Sequence, residues 1–345
     1  MKGYRLRYKP AGPKDDNFDA FVLADLLWRD RDMLAQITPE IESVQRLKAL
    51  LADRTNFIYD QSSFRNRLTA ALREYYPAAL ELFADPAGKT ALAFVEAYPN
   101  LESTRTLDRD TLKALLVKHH SYSPKRLLKM LKVLTQQWIP VSPIVVEMRQ
   151  RVILHLIRQL RQIQEAIDAY DTDIEQAMAG NPEIARFQPL PAAGPIVCST
   201  LYIILGEDRT RYQSAIDVQS YVGTAPRTIQ SGQFCKVAFR HACRQDYRVV
   251  LTRWAFSTLR VCPWARKYYN KKRKEGKGHY YALRCLANIL LRIAFAVWKN
   301  RTNYNEDHHL AQIMRHRMNN ETTEVSKRVI RGQPAERIAS NQTQA

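Results

Sequence analysis

Residues 142–182 read SPIVVEMRQRVILHLIRQLRQIQEAIDAYDTDIEQAMAGNP, and this stretch decides the fold. Ser142 and Pro143 are typical of a helix start, and the run from Gly180 to Pro182 is typical of a helix end. Between them, apolar residues recur at alternating intervals of three and four over nearly four heptads: Ile153, Leu156, Leu160, Ile163, Ile167, Tyr170, Ile174 and Ala177. The stretch predicts one long helix with a continuous apolar stripe.

This apolar stripe needs a partner, and three arrangements are open. The helix could lie buried inside its own domain, it could pair antiparallel with a second long helix at residues 39–76, or it could meet the same stripe of a second copy. We place homo-oligomerisation through a coiled coil at this seam.

The rest of the chain also favours helices. Thr38 and Pro39 suit the start of the second long helix, and Pro77 suits its end. Residues 78–140 are interrupted by four prolines and predict shorter helices, while glycine is scarce, with only 11 residues. The predicted fold class is therefore mainly α.

Composition excludes several classes of protein. The chain has 345 residues, of which 46% are hydrophobic, so wholesale disorder is excluded. The sequence contains no run of about 18 uninterrupted apolar residues, so it predicts no membrane span. The first 16 residues lack the apolar core of a secretory signal. We expect a cytoplasmic protein without a membrane partner.

Positive charge is concentrated in the second half of the chain. The formal net charge is +19, and residues 209–301 hold 20 Lys and Arg against three acidic residues. Such an excess repels itself unless a polyanion neutralises it, and nucleic acid is the usual polyanion. An anionic membrane and a merely solvated basic surface are the alternatives, but no long basic amphipathic helix favours the membrane.

The densest basic stretch, Trp264–Tyr281, interleaves cations with aromatic residues. Cations neutralise phosphates while aromatic faces stack on bases or sugars, so this pattern favours nucleic-acid binding. The candidate binding residues are Arg227, Lys236, Arg240, Arg244, Arg266, Lys267, Lys271, Lys272, Arg273, Lys274 and Lys277.

Three short patterns could carry chemistry. Asp16 and Asp19 are three residues apart, so at a helix start they share a face and could hold a divalent cation, or they could simply offset the helix macrodipole. Residues 190–195 form a small-residue turn that could expose backbone N–H groups to phosphate, or could be an ordinary turn between helices. Ser231 lies in a Gly-flanked loop within the basic region and could attack a phosphodiester.

Taken in order, these segments resemble a known family. Gly12–Ala20 looks like the motif Gly-Xaa-Lys-Xaa-Asp-Xaa-Xaa-Asp-Ala at the end of a RuvC-like domain, and Ser220–Gly232 resembles the signature of a C-terminal transposase domain. Phe239–Cys243 and Trp264–Tyr269 add further matches. The chain is thus similar, from about Tyr8 to His316, to DEDD-type insertion-sequence transposases of the "one hundred and ten" group, the RNA-guided bridge recombinases.

This resemblance implies DNA transposition and recombination by strand cleavage and rejoining. Asp16 and Asp19 would be the last two members of the family's Mg²⁺-binding carboxylate tetrad, and Ser231 would be the nucleophile. A guide RNA encoded by the mobile element would choose the site. The catalytic residues implied are Ser231, Asp16 and Asp19, and the implied cofactor is Mg²⁺ held by Asp16 and Asp19.

The chain departs from the family at defined positions. The family's first Asp and its Glu precede the Gly-Xaa-Lys-Xaa-Asp motif, and only about 13 residues precede Lys14 here. We therefore expect an N-terminally truncated copy with an incomplete metal site, and a catalytically dead nucleic-acid-binding remnant is the alternative function. Ala192 and Gln233 also stand where the family usually has Gly.

These observations predict four regions. Residues 1–32 would be the remnant of the RuvC-like α/β domain, and residues 33–186 would be a helical and coiled-coil region. Residues 187–317 would form a helical transposase domain that carries the serine, and residues 318–345 would be a disordered tail.

Overall fold

The computed structural model describes residues 7–8, 15–34, 40–232 and 234–315. The chain divides into two units, Met1–Gln45 and Arg46–Ala345. The predicted tail, residues 318–345, lies outside the described residues. The domain boundaries proposed above stay a prediction.

The N-terminal unit contains helix α1, Asp16–Arg29, followed by a 3₁₀ turn at Arg31–Met33. The Asp15 carboxylate caps α1 by accepting the Asn17 N–H at 3.1 Å. A side-chain cap of this kind satisfies a donor that the first helical turn cannot use itself, so the helix begins at Asp16. Leu27 and Trp28 near the end of α1 are exposed, at 58% and 88%.

Two long helices dominate the described chain, α2 (Glu42–Tyr75) and α7 (Pro143–Met178). The end predicted for α2 is confirmed, because Pro77 opens the next helix. Its predicted start at Thr38 and Pro39 lies outside the described residues. The predicted bounds of α7 are confirmed at both ends.

Helices α2 and α7 run antiparallel. Arg54 donates to Asp171 at 2.5 Å, Gln61 donates to Gln164 at 2.8 Å, and Arg149 donates to Glu74 at 3.0 Å. Along these three contacts the residue numbers rise in α2 and fall in α7, so the two helices run in opposite directions. Of the three open arrangements, the structure has the pair within one chain.

The apolar stripe of α7 is covered by this same chain. The side chains that follow the predicted spacing are buried at Ile153, Leu156, Leu160, Ile163, Ile167 and Ile174. The stripe from Ile153 to Ile174 is therefore covered within one chain. Homo-oligomerisation itself stays a prediction.

Four short helices lie between α2 and α7, as the prolines predict. They are α3 (Pro77–Leu82), α4 (Lys89–Ala97), α5 (Arg109–Lys118) and α6 (Pro124–Leu134). Pro77 and Pro124 each occupy the first turn of a helix, where the missing N–H costs nothing. Buried side chains from these helices join Leu68 and Leu72 of α2 and Leu156 of α7 in one apolar core.

The C-terminal part of the larger unit carries the candidate site. Its helices are α8 (Pro182–Ala185), α9 (Pro195–Leu205), α10 (Ala215–Tyr221), α11 (Gln245–Val261), α12 (Pro263–Lys274) and α13 (His279–Asn300), and residues 306–315 form a final helical segment. A hairpin of two strands, β1 (Arg227–Ser231) and β2 (Phe234–Ala238), lies between α10 and α11. The chain is 70% helical with these two short strands in its described part, so the predicted mainly α class is confirmed.

Helix α13 is the central element of this part. Leu286, Leu290 and Trp298 are buried where α13 packs against α10, α11 and α12. By length and composition α13 could cross a membrane, but 56% of its most apolar window is buried inside the protein. These are the properties of a core helix.

Candidate nucleic-acid interface and nucleophile

Ser231 lies at the tip of the β1–β2 hairpin. The two strands pair antiparallel, with Ser231 opposite Phe234 and Arg227 opposite Ala238. Gly232 begins the connecting turn with a φ of +56°, a conformation that glycine adopts without steric cost. The predicted Gly-flanked loop around Ser231 is therefore wrong, because Ser231 ends a hydrogen-bonded strand.

The hairpin register places Ser231 among cations. Alternate residues of a strand point to the same face, so Arg227 and Ser231 share a face of β1. Phe234 and Lys236 of β2 lie opposite Ser231 and Ile229 and belong to that same face. Both strands are exposed, so a polyanion on this face could reach Ser231, Arg227 and Lys236 together.

The hydroxyl of Ser231 is exposed and has no hydrogen-bond partner among the residues that the structure describes. A serine hydroxyl attacks phosphorus only when its proton is removed or its charge is stabilised. The exposed position leaves room for a substrate and for groups that arrive with it.

The base of the hairpin is held tightly. The Arg240 guanidinium donates to the Ala225 carbonyl at 3.4 Å, and Arg248 donates to the Arg240 carbonyl at 2.8 Å. Gly223 has a φ of +75°, and a Cβ added there would lie 2.3 Å from the Cys243 Sγ atom. The chain can pass here only because residue 223 has no side chain.

Several of the predicted binding residues are engaged inside the protein. Arg240 holds the hairpin base, and Arg244 forms an ion pair with Asp246 at 2.8 Å and lies over the Tyr247 ring. Arg266 donates to the carbonyls of Leu259 and Arg260 at the end of α11. These three guanidiniums contribute positive potential, but some of their donors are already used.

The predicted cations at the end of α12 also make local contacts. Lys272 pairs with Glu275 at 2.7 Å, and this hydrogen bond lowers the pKa of Glu275 and raises the pKa of Lys272. Arg273 donates to the Lys277 carbonyl, and the Lys277 ammonium lies over the Tyr281 ring. These contacts fix the turn that joins α12 to α13.

One face of α12 lines a basic groove. Lys267, Lys271 and Lys274 are spaced by four and three residues, so they share a face of the helix. Together with Arg266 they line a cavity of about 1220 Å³ that also contacts Trp264, Tyr268 and the final helical segment. Sequence reasoning missed two further cations of this groove, Arg260 and Arg292, because they lie outside the dense basic stretch.

The turn at residues 190–195 does not form an open phosphate cradle. The Ala193 N–H donates to the Leu190 carbonyl, and the Gly194 N–H donates to the Ala192 carbonyl. The turn leads into α9, and the Trp254 indole N–H bonds to the Pro191 carbonyl at 2.8 Å. The ordinary turn between helices, one of the two alternatives, is the arrangement that the structure has.

The predicted metal ligands lie in the N-terminal unit. Asp16 and Asp19 occupy the first turn of α1; Asp16 is exposed and Asp19 is half-buried. Carboxylate oxygens are the donors that Mg²⁺ prefers, so their chemistry is suitable. However, no group of three or more His, Cys, Asp or Glu suited to a metal occurs within residues 7–8, 15–34, 40–232 and 234–315. The described residues alone therefore do not build a carboxylate tetrad.

One further carboxylate of α1, that of Asp25, already accepts hydrogen bonds within the N-terminal unit. Asp25 accepts hydrogen bonds from the Tyr8 hydroxyl and from Arg29, the latter at 2.7 Å. These hydrogen bonds, that from Tyr8 first, lower the pKa of Asp25 below its usual value. Asp25 is therefore a structural anion of α1.

Comparison with known proteins separates the chain into two matched regions. Residues 1–77, which contain Asp16 and Asp19, match the DEDD-type transposase family of the IS110 kind, described as "Transposase". Residues 184–270, which contain Ser231 and most of α12, match the family described as "Transposase IS116/IS110/IS902 family".

Individual relatives align over most of the chain. The "Mini-circle putative transposase for IS117" of Streptomyces coelicolor is 25% identical over 318 residues, which cover 90% of this chain and 77% of the relative. The "Insertion element IS116 uncharacterized 44.8 kDa protein" of Streptomyces clavuligerus is 27% identical over 311 residues, which cover 85% and 73% of the two chains. The similarity thus extends across the helical region between the two family matches.

Proposed function

Because the chain belongs to the IS110/IS116/IS902 family of insertion-sequence transposases, we propose that it cuts and rejoins DNA with Ser231 as the nucleophile. The observation that carries this proposal is the position of Ser231 at the exposed tip of a hairpin, on the same face as Arg227 and Lys236. Cations on this face would hold the phosphates that flank a scissile bond.

The proposed step conserves the phosphodiester bond energy. The Ser231 oxygen attacks phosphorus and forms a phosphoserine ester, while the bond from phosphorus to the leaving deoxyribose oxygen breaks. The leaving oxygen takes up a proton, and the serine proton passes to solvent or to a substrate-borne base. A hydroxyl of another strand then attacks the phosphoserine, which restores Ser231 and rejoins DNA.

Mg²⁺ and a guide RNA belong to this proposal as well. Asp16 and Asp19 would hold a Mg²⁺ ion together with acidic ligands from outside the described residues, and the ion would supply charge stabilisation. The groove along α12 would accept a nucleic-acid backbone, of DNA or of RNA, on Lys267, Lys271 and Lys274, which line it.

The test compares Ser231→Ala with Thr228→Ala in the full chain. Thr228 lies on the opposite face of the same hairpin, so its loss changes the strand but not the proposed nucleophile. We expect wild type and Thr228→Ala to form a covalent protein–DNA adduct that survives denaturing electrophoresis, and Ser231→Ala to form none. Adduct formation by Ser231→Ala would overturn the assignment.

A second candidate function is binding without cleavage. The observation that favours it is the limited acidic set, since Asp16 and Asp19 are the matched carboxylates of α1 and the described residues hold no larger cluster. In that case wild type and Ser231→Ala would bind DNA equally, and neither would form an adduct in the presence of Mg²⁺.

A further inference from the structure

Two arginines contact the same aromatic ring at the base of the hairpin. Phe239 directly follows β2, and the guanidinium carbons of Arg248 and Arg284 each lie 4.5 Å from the centroid of its ring. Arg248 comes from α11 and Arg284 comes from α13. The two positive groups are therefore no further apart than twice that distance.

This arginine pair has no acidic counter-charge in the described part of the chain. Neither Arg248 nor Arg284 takes part in an ion pair there. The three acidic residues between positions 209 and 301 are all used elsewhere: Asp217 in the capping box of α10, Asp246 with Arg244, and Glu275 with Lys272. The pair is thus a local excess of positive charge.

The positive charge of Arg284 is destabilised in this arrangement. Both side chains are half-buried, and burial first, then the charge of Arg248, lowers the pKa of Arg284. Two like charges held at one ring repel each other, and an anion bound by both guanidiniums would offset that repulsion. Arg248 uses one of its N–H donors on the Arg240 carbonyl, and the remaining donors of the two guanidiniums are available to an anion.

We propose that Arg248 and Arg284 form a phosphate-binding pair that holds the nucleic-acid backbone at the base of the Ser231 hairpin. The hairpin spans four residue steps from this base to its tip, or about 14 Å. The bound phosphate would therefore lie a few nucleotides from the bond that Ser231 attacks. This inference rests on the proposed function for its link to cleavage, but the binding site stands without it.

The pair would also connect binding to the position of the nucleophile. Arg248 donates to the Arg240 carbonyl, and Arg240 donates to the Ala225 carbonyl, so one set of hydrogen bonds joins the phosphate pair to both strand ends. A backbone bound at Arg248 and Arg284 would fix the hairpin in one orientation. Arg248 and Arg284 are accordingly positioning residues rather than catalytic ones.

The experiment measures binding of the full chain carrying Ser231→Ala, so that cleavage cannot interfere. Single-stranded DNA and RNA oligonucleotides of one sequence are titrated at several KCl concentrations. For single strands each phosphate contact contributes about 0.7 to the slope of log affinity against log salt. Because the pair is proposed to hold one phosphate, Arg248→Gln with Arg284→Gln should lower that slope by about 0.7 and weaken binding at low salt at least tenfold.

The matched control removes two other arginines that stack on phenylalanine. Arg67 lies over Phe64 at 5.2 Å and Arg126 lies over Phe83 at 5.6 Å, both outside the basic half. Arg67→Gln with Arg126→Gln changes the net charge equally and should leave the salt slope at the wild-type value. A loss that is purely structural would lower the melting temperature of the Arg248 and Arg284 variant without changing its slope, and that result would overturn the proposal.

Two further variants test the same proposal if the double Gln variant does not fold. Arg284→Gln alone should lower the slope in the same direction, by no more than about 0.7. Arg248→Lys with Arg284→Lys keeps both charges and should restore the slope. Equal losses on DNA and RNA would support a shared backbone site, a loss on one of them would assign the site to that nucleic acid, and unchanged slopes in folded variants would exclude it. Loss of the adduct in Ser231→Ala is a separate result, so either conclusion can fail alone.

Discussion

Gly223 is the residue whose replacement the structure tolerates least near the hairpin. Its φ is +75°, and a Cβ there would lie 2.3 Å from Cys243 Sγ and 2.7 Å from Cys243 Cβ. Gly276 has a similar φ of +77° but nothing within 4 Å of the same position. Substitution at either glycine would strain the backbone, but only substitution at Gly223 would also create a steric conflict.

We predict that Gly223→Ala lowers the free energy of unfolding by about 3 kcal/mol, from left-handed strain and overpacking together. Gly276→Ala should cost only the strain, about 1 kcal/mol. Denaturant unfolding of both variants beside wild type measures the difference. Equal losses would mean that the Cys243 contact is relieved without cost.

His309 provides a pH-dependent contribution to stability. Its ring lies 4.7 Å from that of Trp264, and burial first, then the charge of Arg292, lowers its pKa below the usual 6.5. Below about pH 6.5 the unfolded chain therefore binds a proton that the folded chain does not, so stability falls as the pH falls.

We predict that the melting temperature of wild type decreases between pH 6.5 and pH 5 more steeply than that of His309→Gln, which cannot titrate there. His155→Gln is the control, because His155 is exposed on α7 and should leave the wild-type steepness unchanged. Thermal unfolding at several pH values measures all three. Parallel curves for wild type and His309→Gln would contradict the prediction.

At the residue scale, the sequence identifies which residues are basic but not what each one contacts. Arg240 and Arg244 were predicted to bind nucleic acid, yet one supports the hairpin base and the other pairs with Asp246. Arg248 and Arg284 were not predicted, because only the fold brings α11 and α13 to the same ring. Contacts between residues that are distant along the chain leave no pattern in the local sequence.

Among the elements, the turn before α9 contains a strained residue. Ala192 has a φ of +55°, one of three positive values outside glycine in the described chain. An alanine in this conformation costs about 1–2 kcal/mol, and glycine avoids that cost. Glycine is the residue that the sequence resemblance implies at this position, and the positive φ suits it.

We predict that Ala192→Gly stabilises the protein by about 0.5–1 kcal/mol, after the greater freedom of glycine in the unfolded chain is subtracted. Ala193→Gly, next to it and without a positive φ, should destabilise by a similar amount. The midpoints of urea unfolding of the two variants should move in opposite directions. A shift of both midpoints to lower urea would contradict the assigned strain.

Long elements were predictable and the hairpin was not. Helix α7 has a buried stripe, and burial imposes the three-and-four spacing that the sequence displays from Ile153 to Ile174. Strands β1 and β2 are exposed on both faces, so no burial requirement imposes alternation on them. A β-branched pair at Thr228 and Ile229 before Gly232 was the available signal, and it is short.

For the whole molecule, charge is the property with the largest expected effect on binding. The net charge is +19, and the groove along α12 collects six cations: Arg260, Arg266, Lys267, Lys271, Lys274 and Arg292. A polyanion that binds this surface displaces condensed counterions, so salt opposes binding directly.

We predict that affinity for DNA falls about a thousandfold or more between 50 and 200 mM salt, as expected for six or more phosphate contacts. Fluorescence anisotropy with a labelled duplex measures it. Lys267→Gln with Lys271→Gln should reduce the slope, whereas Lys113→Gln with Lys129→Gln, on α5 and α6, should not. An affinity that does not change with salt would exclude this interface.

The antiparallel pair of α2 and α7 acts as a spacer. At 1.5 Å per residue, the 36 residues of α7 extend about 54 Å. The α3–α6 core lies along one part of this spacer, and α9 packs near its other end.

Adding seven residues to each helix would lengthen the spacer by about 10 Å and keep its apolar stripe in phase. Adding two residues would instead rotate the part of each helix after the insertion by more than half a turn. Relatives should therefore vary the length of this region in heptads.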